Sequence, residues 1–265
     1  MNLINQFLST TPNLLIAFTF ALLAAALSIV MAKLGRRIMP LKLDTESHEI
    51  ATNIQKSLIA FAVLLLAFAI GEARQNLANA NEAVNVEALK IKQFDHHLAL
   101  QNSDEIQAAR RALANYTSSL IHKEWPALAS QNISDLQVTR DQLEVLANEL
   151  DKIATFSKDK SEQFQLLKHD FDALEKAHDT IIEKAQHAIP SLFWSMMLSL
   201  VMVSMLFNAR YQATLTNHVL IGSHMAVIGA SIAFLAMLDA PFRGETSVRP
   251  QAIEQVCVKL IVPCK

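Results

Sequence analysis

Four stretches without a charged side chain constrain this chain more than any other feature. Residues 1–32 carry no charge, and their apolar core, Leu14 to Ala32, is 19 residues long. At about 1.5 Å per residue it spans roughly 28 Å, close to the thickness of a bilayer interior. Ser57 to Gly71 gives 15 uncharged residues between Lys56 and Glu72. That is short for a span at roughly 22 Å, but Ile54 extends it, and Lys56 and Arg74 can reach the headgroups. Ala185 to Ala209 adds 25 uncharged residues and Tyr211 to Leu238 adds 28, with Phe193 and Trp194 placed for an interfacial aromatic belt. Gly222, Ala226, Gly229, Ala230 and Ala233 line the last stretch with small side chains, which lets helices approach closely. The expectation is an all-α fold with four transmembrane helices. The first is an uncleaved anchor, since Lys33, Arg36 and Arg37 follow its apolar core, and Ala24-Ala25-Ala26 reads as helix interior rather than as a cleavage site.

Composition narrows the function. Of 265 residues 52% are hydrophobic and 18% charged, too apolar for an ordinary soluble domain. The net charge of −2 offers no basic field for nucleic acid. Five glycines, with no G-x-G-x-x-G or P-loop string, leave no phosphate-cradling loop of those kinds, and two cysteines cannot build a four-Cys zinc site.

Charge also orients the chain. The loop 33–56 holds five basic residues (Lys33, Arg36, Arg37, Lys42, Lys56) against three acidic ones, and Arg210 alone separates the third and fourth spans. Short basic loops prefer the cytoplasm, so residues 72–184 and the segment after Asp239 are expected outside it. Residues 72–184 carry 13 basic and 19 acidic side chains, net −6. Cys257 and Cys264 lie in the last segment, where an oxidising compartment permits a disulfide and two idle thiols are the alternative. The organisation expected is 1–71 for two spans and their basic loop, 72–184 for an extramembrane helical domain, 185–239 for the other two spans, and 240–265 for a tail.

The polar middle carries helical periodicity. Ile106, Ala109, Leu113, Tyr116 and Leu120 form one apolar stripe, Leu143, Leu146, Leu150 and Ile153 a second, and Phe164, Leu167, Phe171, Leu174, His178 and Ile181 a third. The spacing predicts a helical-hairpin or bundle insertion between the second and third spans, with long helices leaving the second span and returning into the third. Pro126 is expected to end the first helix by forcing Trp125 out of helical geometry, and Ser134 with Asp135 to cap the next.

Chemistry-bearing residues are sparse. Glu175 and His178 make an E-x-x-H, as in di-iron bundles, but such a site needs a second copy and two further Glu, so no metal or other cofactor is expected and His178 reads as a partly buried structural histidine. Asp95-His96-His97 reads as a solvated face near a helix kink. His218 and His224, six apart in the fourth span, do not share a face, and helix-packing hydrogen bonds are the expected role beside titration in a conduction path. No G-x-S-x-G or H-E-x-x-H occurs, and no enzyme is expected. Phe61, Leu65 and Phe68 share one face of the second span; in an oligomer they could form a hydrophobic constriction, and ordinary packing or lipid contact is the alternative.

Five strings together resemble a known family. They are GRRIMPLK (35–42), LLAFAIGEARQNLANANEA (65–83), ARRALANYTSSLIHKEWPAL (109–128), IPSLFW (189–194) and LDAPFRGETSVRP (238–250). The motif residues are Lys123, Glu124, Trp125 and Pro126; Pro190, Phe193 and Trp194; and Asp239, Pro241, Phe242 and Gly244. They resemble the bacterial bestrophin-like membrane family, over roughly residues 15–256. Bestrophins are pentameric ion channels whose second helix lines a hydrophobic neck. The resemblance therefore implies a multi-pass protein of the bacterial inner membrane, a homo-oligomer in the lipid bilayer passing small ions, with Phe61, Leu65 and Phe68 as pore candidates. It also implies a cytoplasmic helical domain, opposite to the charge reading. No calcium loop of the D-x-[DN]-x-[DN]-G kind is present. The competing expectation is a non-conducting membrane sensor or assembly protein that binds a partner through the helical domain.

Overall fold

The computed structural model describes residues 11–38, 45–100, 103–130, 133–156 and 161–260. Among these, every regular element is helical: α1 (Asn13–Ile38), α2 (Thr45–Ala99), α3 (Asp104–Ser119), α4 (Trp125–Ser130), α5 (Ile133–Phe156), α6 (Ser161–Gln186), α7 (Ser191–Leu206), α8 (Leu215–Leu238) and α9 (Gln251–Lys259). A π-turn over Leu120–Glu124 joins α3 to α4, and a 3-10 turn over Phe207–Arg210 follows α7. Four helical stretches are long and apolar enough to cross a membrane: Asn13–Arg37, Thr45–Ala99, Glu162–Arg210 and Leu215–Leu238. The expected all-α, four-span fold class holds. Lys42 and Cys264 lie outside the described residues; Cys257 is buried and disulfide-bonded.

The chain divides into two compact units, one from residues up to Gln75 with Ala188–Ala240, the other from Asn76–His187 with the residues from Pro241 onward. In the first unit, α1 packs along α8 through small side chains. A Cβ added to Gly229 would stand 2.6 Å from both Ala24 Cβ and the Phe20 carbonyl oxygen, so only hydrogen fits there. A Cβ added to Gly222 would stand 3.8 Å from Ala25 Cβ, an ordinary contact. Many large apolar side chains of this unit, such as Phe18, Leu22, Val30 and Val227, face outward, as a helix surface solvated by lipid requires.

In the second unit the three apolar stripes become the core: Ile106, Ala109, Leu113, Tyr116 and Leu120 from α3 and the π-turn, Leu143, Leu146, Leu150 and Ile153 from α5, and Leu167, Leu174 and Ile181 from α6. Phe242, Val248, Ile253 and Leu260 join the same core, so residues 242–260 pack with these helices.

Four local expectations are corrected. Pro126 does not end a helix: Trp125 keeps right-handed helical dihedrals, and its N–H bonds the Leu120 carbonyl five residues back. A widened turn removes the carbonyl from the path of the proline ring and leaves the missing N–H at the first turn of α4, where it costs little. The return into the third span is broken, with α6 ending at Gln186 and α7 starting at Ser191, because Pro190 disfavours helix at Ile189. Ser134 lies inside the first turn of α5 rather than before it. Asp95 and His97 are not merely solvated: Asp95 accepts from Arg110 Nε at 2.9 Å, and His97 pairs with Asp170 of α6.

Candidate functional site

The second unit buries a set of ionisable side chains. Glu87 sits in an apolar stripe of α2 formed by Ala80, Val84, Ile91, Phe94 and Leu98, and like them it is shielded from solvent. Tyr116 of α3 donates its hydroxyl to Glu87 Oε1. His178 of α6 brings Nδ1 to 3.4 Å from Glu87 Oε1 and 3.7 Å from Glu124 Oε1, at the end of the π-turn, and its ring meets Tyr116 edge-on. Thr139 of α5 is buried beside Glu124. Among the described residues, Glu87 Oε2, both Glu124 carboxyl oxygens, Thr139 Oγ1 and His178 Nδ1 lack a hydrogen-bond partner.

Two buried carboxyls and one imidazole cannot all carry charge cheaply where no water reaches. Burial pushes the Glu124 carboxyl up to about 7, with the charge of Glu87 adding to the rise and His178 and Thr139 opposing it. Burial pulls the His178 imidazole down, but contact with Glu87 and the charge of Glu124 more than offset it, leaving it raised. Burial, then Glu87, lifts the Tyr116 phenol well above its ordinary value. The arrangement holds a proton near neutrality. Glu175 is exposed while His178 is buried, so the E-x-x-H does not converge, and no group of His, Cys, Asp and Glu among the described residues is arranged to hold a metal ion.

The π-turn explains how Glu124 comes to be inside. Its extra residue keeps Glu124 on the buried side with Tyr116 and Leu120 while the exposed Lys123 and Pro126 turn away. Trp125 donates Nε1–H to the Val248 carbonyl at 3.2 Å and packs edge-on against Phe242, centroids 5.5 Å apart. The turn that presents Phe242 and Val248 closes with Val248 N–H to the Pro241 carbonyl at 2.7 Å, and Gly244 supplies the φ of 76° it needs. A second meeting occurs in the span unit. Asp239 ends α8 and accepts from the Ile189 amide at 2.7 Å and from Trp194 Nε1 at 3.3 Å, beside Pro190, which opens α7. Phe193, one residue before Trp194, stays outward-facing.

The first half of α2 has two faces. Ala62, Leu66, Ala69 and Ala73 are buried in their own unit. Phe61 and Phe68, with Leu65 half-buried between them, lie roughly 100° round the helix from that buried line.

A family model for the bestrophin-like domain matches residues 13–253. The chain belongs to the bestrophin-like family. Crystal structures of a bacterial bestrophin homolog from Klebsiella pneumoniae share its fold. One, determined by Zn-SAD phasing, has a TM-score of 0.65 at 14% identity over 92% of this chain and 96% of that one. Another, of a point mutant of that homolog, gives 0.63 at 13% identity over 92% and 98%. No curated protein sequence matches the chain. In this bestrophin-like chain the motif strings form two clasps, KEWP with PFRGETSV in the helical unit and IPSLFW with Asp239 in the span unit. Glu124 is the motif residue that faces the buried cluster. Glu87 was missed by sequence reasoning, although its signal was legible: a lone acid among Ala80, Val84, Ile91, Phe94 and Leu98 at steps of three and four.

Proposed function

We propose that this bestrophin-like membrane protein is an oligomeric channel for small ions, with the first half of α2 lining the pore and Phe61, Leu65 and Phe68 at a hydrophobic constriction. The observation that carries the proposal is the exposed flank of α2: Phe61 is 45% and Phe68 65% exposed, while the helix is anchored through Ala62, Leu66 and Ala69. A symmetric ring of copies would turn such a flank toward its axis, where apolar side chains gate by dewetting. Bestrophin-like membership supports the same arrangement. In this proposal the helical unit lies outside the cytoplasm, following the basic short loops; alkaline phosphatase fused after Lys265 is then active, and a fluorescent cytoplasmic fusion at the same point reverses the assignment.

The test of the assembly is the mass of the full-length protein in mild detergents, by native mass spectrometry. The expected result is a closed ring, a pentamer by analogy with bestrophins. A monomer or dimer that persists across several mild detergents removes the axis and with it the proposed pore.

A further inference from the structure

We infer that the span unit holds a phosphate group beside Lys56 and Arg210, supplied by the headgroup of an anionic phospholipid. This inference stands apart from whether the protein conducts ions. A pocket of about 330 Å³ opens there between α2, the 3-10 turn and α8. Its polar wall carries Lys56, Arg210, Asn208, Asn217 and His224, and no carboxylate lines it among the described residues. Neither cation is spent on an ion pair within those residues.

Two side chains of this wall, Arg210 and Asn208, are held in place. Arg210 donates through Nη1 to the Phe207 carbonyl at 3.1 Å and through Nη2 to the Tyr211 hydroxyl at 2.7 Å, with the guanidinium 4.5 Å from the Tyr211 ring centroid. Its Nε is buried without a partner among the described residues. Asn208 is only 3% exposed, and its Oδ1 accepts from Gln55 Nε2 at 2.7 Å, so the amide orientation is set and Nδ2 is left without an acceptor among the described residues. Gln55 is held in turn by the Ser204 carbonyl at 3.0 Å. Arg210 and Asn208 both line the pocket, and the guanidinium charge there favours an oxyanion. The pocket also receives the first turn of the 24-residue helix α8, where Thr214 Oγ1 accepts from the Asn217 amide and the helix dipole favours negative charge.

Two observations select a lipid over free phosphate. Lys56 and Arg210 are the charged residues that bound the uncharged intervals 57–71, 185–209 and 211–238, which sets the pocket at headgroup depth. Beside the polar groups the pocket has an apolar wall, from Ile59, Leu220, Ile221 and Met225, and Leu220 itself faces outward. Soluble phosphate has no use for that wall; acyl chains do.

The test uses the full-length protein in mild detergent, with retained lipid counted by native mass spectrometry. Phosphatidylglycerol and phosphatidylcholine are added at equal ratio, and inorganic phosphate serves as competitor. We expect about one phosphatidylglycerol per chain, retained about tenfold more strongly than phosphatidylcholine and not displaced by phosphate. Lys56→Gln, at an exposed side chain without an ion pair, and separately Arg210→Gln, should each weaken that retention about tenfold at unchanged assembly mass. Equal retention of the two lipids, or phosphatidylglycerol retention unaltered in both variants, overturns the inference. Displacement by inorganic phosphate overturns the lipid source and reassigns the site to free phosphate.

Discussion

Glu124 links local packing to the protonation of the whole helical unit. Its carboxyl binds a proton up to about pH 7 in the fold, whereas in the unfolded chain it releases that proton near 4.5. Between those values the folded state holds more protons, so stability falls as pH rises, by on the order of 3 kcal/mol across the interval. His178 acts in the same direction: its raised pKa gives stability that is present below the ordinary histidine value and lost as pH rises through the folded one. The melting temperature of the helical unit, read at one scan rate, should therefore be higher at pH 5.5 than at pH 8. Glu124→Gln keeps the shape without the proton and should flatten that difference by more than half; a wild-type melting temperature that rises with pH over this range contradicts the assignment. How far the cluster was legible varies by residue. His178 was visible as one polar member of an apolar stripe, and Glu124 as part of a motif. Their convergence with Glu87 was not legible, because stripes give the buried face of each helix but not which faces meet.

At the scale of elements, the α1–α8 contact makes opposite predictions for two glycines of one helix. Replacing a mid-helix glycine by alanine gains about 1 kcal/mol of helix propensity. At Gly222 the new methyl meets Ala25 at ordinary contact distance, so Gly222→Ala should be neutral or stabilising. At Gly229 it meets a backbone carbonyl and a Cβ at 2.6 Å, neither of which can swing aside, so Gly229→Ala should cost about 1–3 kcal/mol through separation of the helices. Comparative melting of the two variants checks this; equal effects would mean that α1 and α8 do not pack through Gly229. The small residues of α8 were legible as a close-packing face, and the contact with Ala24 and Ala25 gives them their partner. The π-turn was not legible. Pro126 reads locally as a terminator, and whether its ring is accommodated by a wide turn depends on the burial of Leu120, which begins that turn, and Trp125, which follows it.

At the scale of the molecule, the uncharged intervals and the long polar middle were enough to indicate the all-α four-span class, since a bilayer imposes length and polarity on any helix that crosses it. The grouping of the residues beyond Pro241 with the helical unit was not legible, because it depends on Trp125 reaching Phe242 and Val248 across more than a hundred residues of sequence. The central claim concerns α2 and is tested most directly by ion flux through full-length protein reconstituted into liposomes. The account predicts flux above that of empty vesicles, raised several-fold by Phe68→Ala, since a wider and less apolar neck wets more readily. Absence of flux, or flux left unchanged by Phe61→Ala, Leu65→Ala and Phe68→Ala alike, would contradict a pore lined by this helix.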